Sequence, residues 1–206
     1  ASLDTSKRVF PPTLQLLLAC GRTRFGPDDV ERVERISRGD VDWETFVPEA
    51  VRHHLLPLVS RAFGLCGSDS VPREVRERIA RHGTAIAKRN FFLSAHLLRI
   101  VRLLDEQGIP AVPFKGPLLA ELAFGDLSLR TFSDLDILVG KADAHRAVGL
   151  LRQIGYASLY GADFPSETYI QDENFFGLYH AENRTSLELH WELTGWYATT
   201  PLYLED

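Results

Sequence analysis

An α+β or α/β layer fold is predicted, with a helical first half followed by a sheet that carries flanking helices. Three observations predict it. Apolar residues recur at three-and-four spacing up to Gln107. After Gly108 the pattern turns to short alternating or β-branched runs. Between the two regimes stands Gly108-Ile109-Pro110, a strong helix stop.

The elements follow in order. Thr13 to Cys20 is a short apolar helix ended by Gly21. Asp28 or Asp29 starts a second helix that runs to about Arg38, with Val30, Val33 and Ile36 three residues apart. A third helical stretch holds Trp43, Phe46, Val47, Ala50, Leu55, Leu58, Val59 and Phe63, with an interruption expected near Pro48 or Pro57. The clearest helix spans Pro72 to Gln107, carried by Val75, Ile79, Ile86, Leu93, Leu97, Val101 and Leu104. It would reach ~54 Å if unbroken, and Gly83 is the expected place for a break or bend. Ile109 to Phe114 then reads as a strand whose prolines suit a sheet edge or a strand entrance. Pro117 to Phe124 is a short helix, Leu135 to Val139 a strand, and Ala142 to Ile154 a helix closed by Gly155. Tyr156–Tyr160, Asn174–Tyr179 and Ser186–Glu192 are three further strands. The boundary is placed at 107/108: residues 1–107 form the helical region, 108–206 the sheet domain, and the long helix is the strut between them.

Composition narrows the function. With 206 residues, 45% hydrophobic and 25% charged, the chain is an ordinary globular sequence of one or two domains. Its 23 basic residues against 28 acidic ones give a net charge of −5, which argues against nucleic acid as the partner, since gripping that backbone calls for a basic excess. A small anion held locally fits better. The apolar runs are far below the ~20 residues that cross a bilayer, and no basic-then-apolar leader opens the chain. A cytoplasmic location without membrane attachment is the expectation. Cys20 and Cys66 sit in apolar surroundings without a CxxC spacing and read as two buried thiols. The sequence has no Met at all, so its native termini are not legible.

Three segments carry candidate chemistry. In Ser133-Asp-Leu-Asp-Ile-Leu-Val139, Asp134 and Asp136 are i and i+2 of a strand and project from one face, about 6.6–7 Å apart along the backbone. Paired carboxylates repel unless a cation lies between them, and a divalent metal is the usual resolution. In Leu187-Glu-Leu-His-Trp-Glu192 the apolar residues share one face, while Glu188, His190 and Glu192 share the other. If this strand pairs with the first, Glu188 supplies a third carboxylate; His190 reads as a hydrogen-bonded strand histidine. In Phe114-Lys-Gly-Pro-Leu118 a strand enters a helix through Gly116, with Lys115 adding a cation at a helix start suited to phosphate. Arg130 lies four residues before Asp134 in the intervening loop. Read singly, each segment is equally an amphipathic strand or a strand-to-helix turn.

Taken in order, the block Phe114-Lys-Gly-Pro-Leu-Leu-Ala-Glu-Leu-Ala-Phe-Gly-Asp-Leu-Ser-Leu-Arg-Thr-Phe-Ser-Asp-Leu-Asp-Ile-Leu-Val139 resembles the signature of the uncharacterised nucleotidyltransferase family, part of the DNA polymerase beta-type nucleotidyltransferase superfamily. Leu187-Glu-Leu-His-Trp-Glu192 resembles its second, acid-x-His-Trp block. The resemblance spans about residues 40 to 195. It implies an α+β fold, a helical N-terminal half packed on a palm of mixed sheet with flanking helices.

By that resemblance Gly116 matches the glycine of the phosphate-gripping turn. Asp134 and Asp136 match the metal-binding aspartates, and Glu188 the third carboxylate. Two departures stand out. Pro117 occupies the position of a small residue and offers no N–H to a phosphate, and the gap from Gly116 to Asp134 is longer than usual. Lys115 and Arg130 are the cations placed to compensate.

The implied activity is transfer of a nucleoside monophosphate from Mg-NTP to an acceptor hydroxyl, with release of pyrophosphate. The cofactor is Mg²⁺ as two ions, with Mn²⁺ as substitute, and ATP is the first choice of nucleotide. The acceptor is a small molecule or a protein. Two alternatives compete. One is a palm-like binding or regulatory module without catalysis. The other is nucleotide transfer onto a protein, which uses the same residues.

Overall fold

Helices fill the first half of the chain and a five-stranded mixed sheet the second, so the fold is α+β. The computed structural model describes residues 10–161 and 164–193. Its helices are α1 (Pro12–Cys20), α2 (Pro27–Ser37), α3 (Trp43–Arg52), α4 (Leu56–Leu65), α5 (Arg73–Glu106), α6 (Gly116–Leu119), α7 (Ala144–Gln153) and α8 (Glu167–Asp172). The strands are β1 (Ala111–Phe114), β2 (Asp134–Val139), β3 (Tyr156–Ser158), β4 (Phe175–His180) and β5 (Thr185–His190). The described residues form two compact units: one holds those up to Lys88 together with Ser128–Thr131, the other Arg89–Leu127 and those from Phe132 to Leu193.

The first unit is all helix. Asp29 Oδ2 accepts from the Gly26 N–H at 3.0 Å and Asp42 Oδ1 from the Glu44 and Thr45 N–H groups, satisfying donors that helix starts leave free. Its core includes Leu16, Val33, Phe46, Val59, Phe63 and Ile79, with Phe46 stacked on Phe63 at 5.8 Å. Cys20 and Cys66 lie there as buried free thiols. The third helical stretch breaks at His53–Leu55, not at Pro48. Pro48 stays inside α3 while the buried Phe46, Val47 and Ala50 hold the helix in place, and His54 makes the turn at φ 56°. Pro57 sits in the first turn of α4, where no N–H is needed.

Gly83 does not break the long helix, which runs 34 residues without interruption. Its role is close approach. A Cβ at Gly83 would lie 2.8 Å from Ser60 Cβ on α4, closer than side chains pack.

The second unit is built on the sheet, ordered β1-β2-β5-β4-β3. The pair β2–β5 is parallel and the others are antiparallel. One face is apolar. Leu135, Ile137 and Val139 of β2 and Leu187 and Leu189 of β5 share a single buried core with Leu93, Leu97, Ile100 and Leu104 of α5 and Ala147, Val148 and Leu151 of α7. Trp191 extends that face, and its indole N–H donates to the Glu173 carbonyl at 2.7 Å. Strand ends shift by at most two residues from expectation, and α8 is an element that the alternation pattern does not announce. Its cue is Ser166, whose hydroxyl accepts from the Tyr169 N–H. No helix among the described residues is long and apolar enough to cross a membrane.

Candidate metal and nucleotide site

The opposite face of the sheet carries the polar residues, and strand register decides which of them meet. In the parallel pair Asp134 lies opposite Ser186, Asp136 opposite Glu188, and Leu138 opposite His190. Because side chains alternate, Asp134, Asp136, Glu188 and His190 all leave by this face. Asp136 is 3% exposed and His190 6%, whereas Glu188 is only half-buried. One ligand atom from each of Asp136, Glu188 and His190 falls within 4.8 Å of the other two. His190 Nε2 is 3.3 Å from Asp136 Oδ1 and 3.2 Å from Glu188 Oε2. Flanking strands supply the walls. Phe114 of β1 meets the imidazole edge-on with centroids 4.8 Å apart, and Phe175 of β4 stacks on it at 5.2 Å.

The turn from β1 into α6 brings the cation. Phe114 lies opposite Asp136 in the antiparallel β1–β2 pair, so the next residue, Lys115, leaves the sheet beside that carboxylate. Lys115 Nζ is 2.7 Å from Asp136 Oδ1. The backbone of Lys115 has φ 52° and ψ −145°, a combination suited to glycine, and Gly116 follows at φ 34°. A Cβ at Gly116 would stand 3.5 Å from the Asp134 carbonyl, so this turn lies against the first residue of β2. After α6 the helix widens into a π turn, Ala120–Phe124, and closes on Gly125 at φ 68°.

The electrostatics of Asp136 follow from these neighbours. Burial works to raise its pKa, but hydrogen bonds from His190 and Lys115, together with their charges, outweigh it. The carboxyl is therefore held below the usual aspartate range. A buried anion is stable here because a cation and a ring N–H already face it.

The two aspartates differ. Asp134 is half-buried at the mouth of β2, two residues before Asp136 and outside the tight triangle. Arg130 is half-buried in the segment Ser128–Thr131, which groups with the helical unit. Glu192, on the polar face of the last strand pattern, lies beyond the end of β5.

A family model described as "Uncharacterised nucleotidyltransferase" matches residues 39–206, more than half of the chain. The chain belongs to this family. No curated protein and no solved structure matches it. Membership in the uncharacterised nucleotidyltransferase family points to an enzyme with a nucleotide substrate, and Asp136, Glu188 and His190 form a candidate metal cluster in it.

Asp136, Glu188 and His190 are a candidate donor set for such an ion: one ligand atom of each lies within 4.8 Å of the others. The two His190 Nε2 contacts, at 3.2 and 3.3 Å, are near the ~3.0 Å edge of an octahedron with ~2.1 Å bonds, and the two carboxylates would draw in to complete it. His190 is the site residue that sequence reasoning undervalued. Alternation put it on the face of Glu188, but its closeness to Asp136 depends on a register that only the paired strands reveal. The strained backbone of Lys115 had no sequence signal, since lysine is not the residue that conformation prefers.

Proposed function

We propose that the protein transfers a nucleoside monophosphate from Mg-NTP, with ATP as first choice, to an acceptor hydroxyl and releases pyrophosphate. The observation that carries this reading is the juxtaposition of Asp136 and Glu188 on adjacent parallel strands, with Lys115 of a Lys-Gly turn on the same carboxylate. Asp134, Asp136 and Glu188 are the residues proposed to hold two Mg²⁺ ions, in a palm domain of residues 108–206. Bound there, divalent ions supply charge stabilisation of the departing pyrophosphate and activation of the acceptor oxygen.

The chain's own groups do the rest. Asp136, already ionised because His190 and Lys115 oppose its burial, is ready to ligate without losing a proton. Glu188, half-exposed, is placed to take the acceptor's proton. Lys115 reaches Asp136 from an exposed position, so its ammonium could also turn to a phosphate. Gly116 lets the nucleotide approach the turn closely. Location in the cytoplasm accords with these substrates.

Two measurements test the reading. Pyrophosphate release from ATP, GTP, CTP and UTP is measured with Mg²⁺ and candidate hydroxyl acceptors, and the melting temperature is followed with Mg²⁺ and each nucleotide. The expected result is a melting shift with Mg-ATP and release that falls by well over tenfold in Asp136→Asn. Activity surviving within about tenfold, roughly 1.4 kcal/mol in barrier, overturns the proposal.

A further inference from the structure

We infer that His190 is itself a metal ligand, and that the position it forms with Asp136 and Glu188 selects Mn²⁺ over Mg²⁺; this deepens the nucleotidyl-transfer reading and rests on it for the ion's place in turnover. The imidazole is held for the purpose. It is 6% exposed, with Phe114 against its edge and Phe175 against its face, so the ring has little freedom to turn away. Its Nε2 lies 3.3 Å from Asp136 Oδ1 and 3.2 Å from Glu188 Oε2, near the edge spacing of donors around one ion. Both carboxylates face the same ring nitrogen, and in the tautomer protonated at Nδ1 its lone pair points between them, where a cation would sit.

The chemistry of the donor set then decides the ion. Mg²⁺ prefers an all-oxygen sphere, keeps several waters and gains little from imidazole. First-row transition ions bind a mixed nitrogen and oxygen donor set, and Mn²⁺, the weakest of them, still takes an imidazole more readily than Mg²⁺ and shares its octahedral habit. Two carboxylates and one imidazole therefore favour Mn²⁺ over Mg²⁺. Lys115 Nζ lies 2.7 Å from Asp136 Oδ1 and balances its charge. Its side chain is 51% exposed, so it leaves the carboxylate without disturbing the core.

The test uses the full chain and the metals alone. Free Mn²⁺ is titrated by electron paramagnetic resonance with Mg²⁺ as competitor, for the native protein and for His190→Gln. The expected result is that His190→Gln weakens Mn²⁺ binding by about 10- to 100-fold, the usual effect of losing a ligand or its support, and leaves Mg²⁺ within about threefold. Pulsed resonance of the native Mn²⁺ complex should show coupling to a directly bound nitrogen. That coupling should change when histidine is supplied ¹⁵N-labelled, a readout that needs no variant to fold. Absence of nitrogen coupling, or an unchanged Mn²⁺-to-Mg²⁺ ratio in His190→Gln, overturns the inference even if pyrophosphate release persists. Nitrogen coupling in a protein that turns over no nucleotide would instead keep the metal site and remove the transferase reading.

Discussion

Lys115 combines two burdens that are seldom joined. It balances a carboxylate that is 3% exposed, and it does so from a backbone at φ 52° and ψ −145°, a combination that strains a residue with a Cβ. The two burdens can be separated by experiment. Lys115→Gly and Lys115→Ala both remove the ammonium, so both should lower pyrophosphate release. Only alanine keeps a Cβ in the strained conformation. Lys115→Gly is therefore expected to be more stable than Lys115→Ala by about 1 kcal/mol or more in chemical denaturation; equal stabilities would show that the turn carries no strain. Cys20 offers a second test on a single residue. Burial, and next the neighbouring Cys66, push its thiol far above the ordinary cysteine range. Native protein at pH 8 should react with a thiol reagent only as fast as the helical unit opens, and rapid labelling without denaturant would contradict the buried position.

Among the elements, the long helix teaches the most about what a sequence discloses. Its apolar repeat was legible from Val75 to Leu104 because helix period and core face coincide. The behaviour of Gly83 was not, because a glycine that permits a bend and one that permits close approach look alike until the neighbour is known. Ser60 is that neighbour. Gly83→Ala should gain helix propensity of about 1 kcal/mol yet be destabilised overall by crowding, which typically costs about 1–3 kcal/mol. In a Ser60→Gly background the cost should shrink, giving a coupling energy of about 1 kcal/mol in a double-mutant cycle. Additive effects would place the glycine's role elsewhere. The strands show the same division. Alternation in Leu187–Glu192 fixed which side chains share a face, but the register that sets Glu188 against Asp136 and carries His190 to the same carboxylate is a property of two strands together. The short helix α8 escaped notice because six residues give no readable period, leaving only its serine cap.

For the molecule as a whole, acid should act in two stages, and the order follows from which groups are displaced and in which direction. On the apolar side of the sheet His96 is buried against Tyr156, its Nε2 2.9 Å from the phenol oxygen. Burial first, then His180, Arg99 and Arg89, depress its pKa below the ordinary histidine value. A histidine depressed in the fold stays neutral there while the unfolded chain takes up a proton. Stability is then complete above pH ~6.5 and is lost as pH falls from that value toward the depressed one. Asp136 is depressed as well, but for a carboxyl the sign differs: its contribution is complete above the unfolded aspartate value and is lost only as pH falls below ~3.9. Melting without metal should therefore show a first decline between pH 7 and 5 that belongs to His96, and a second below pH 4 to which Asp136 contributes. His96→Gln, which keeps a polar group beside Tyr156 but cannot titrate, should flatten the first decline and leave the second. A first decline that persists in the variant would assign it to another group and leave the buried histidine without a role in acid sensitivity.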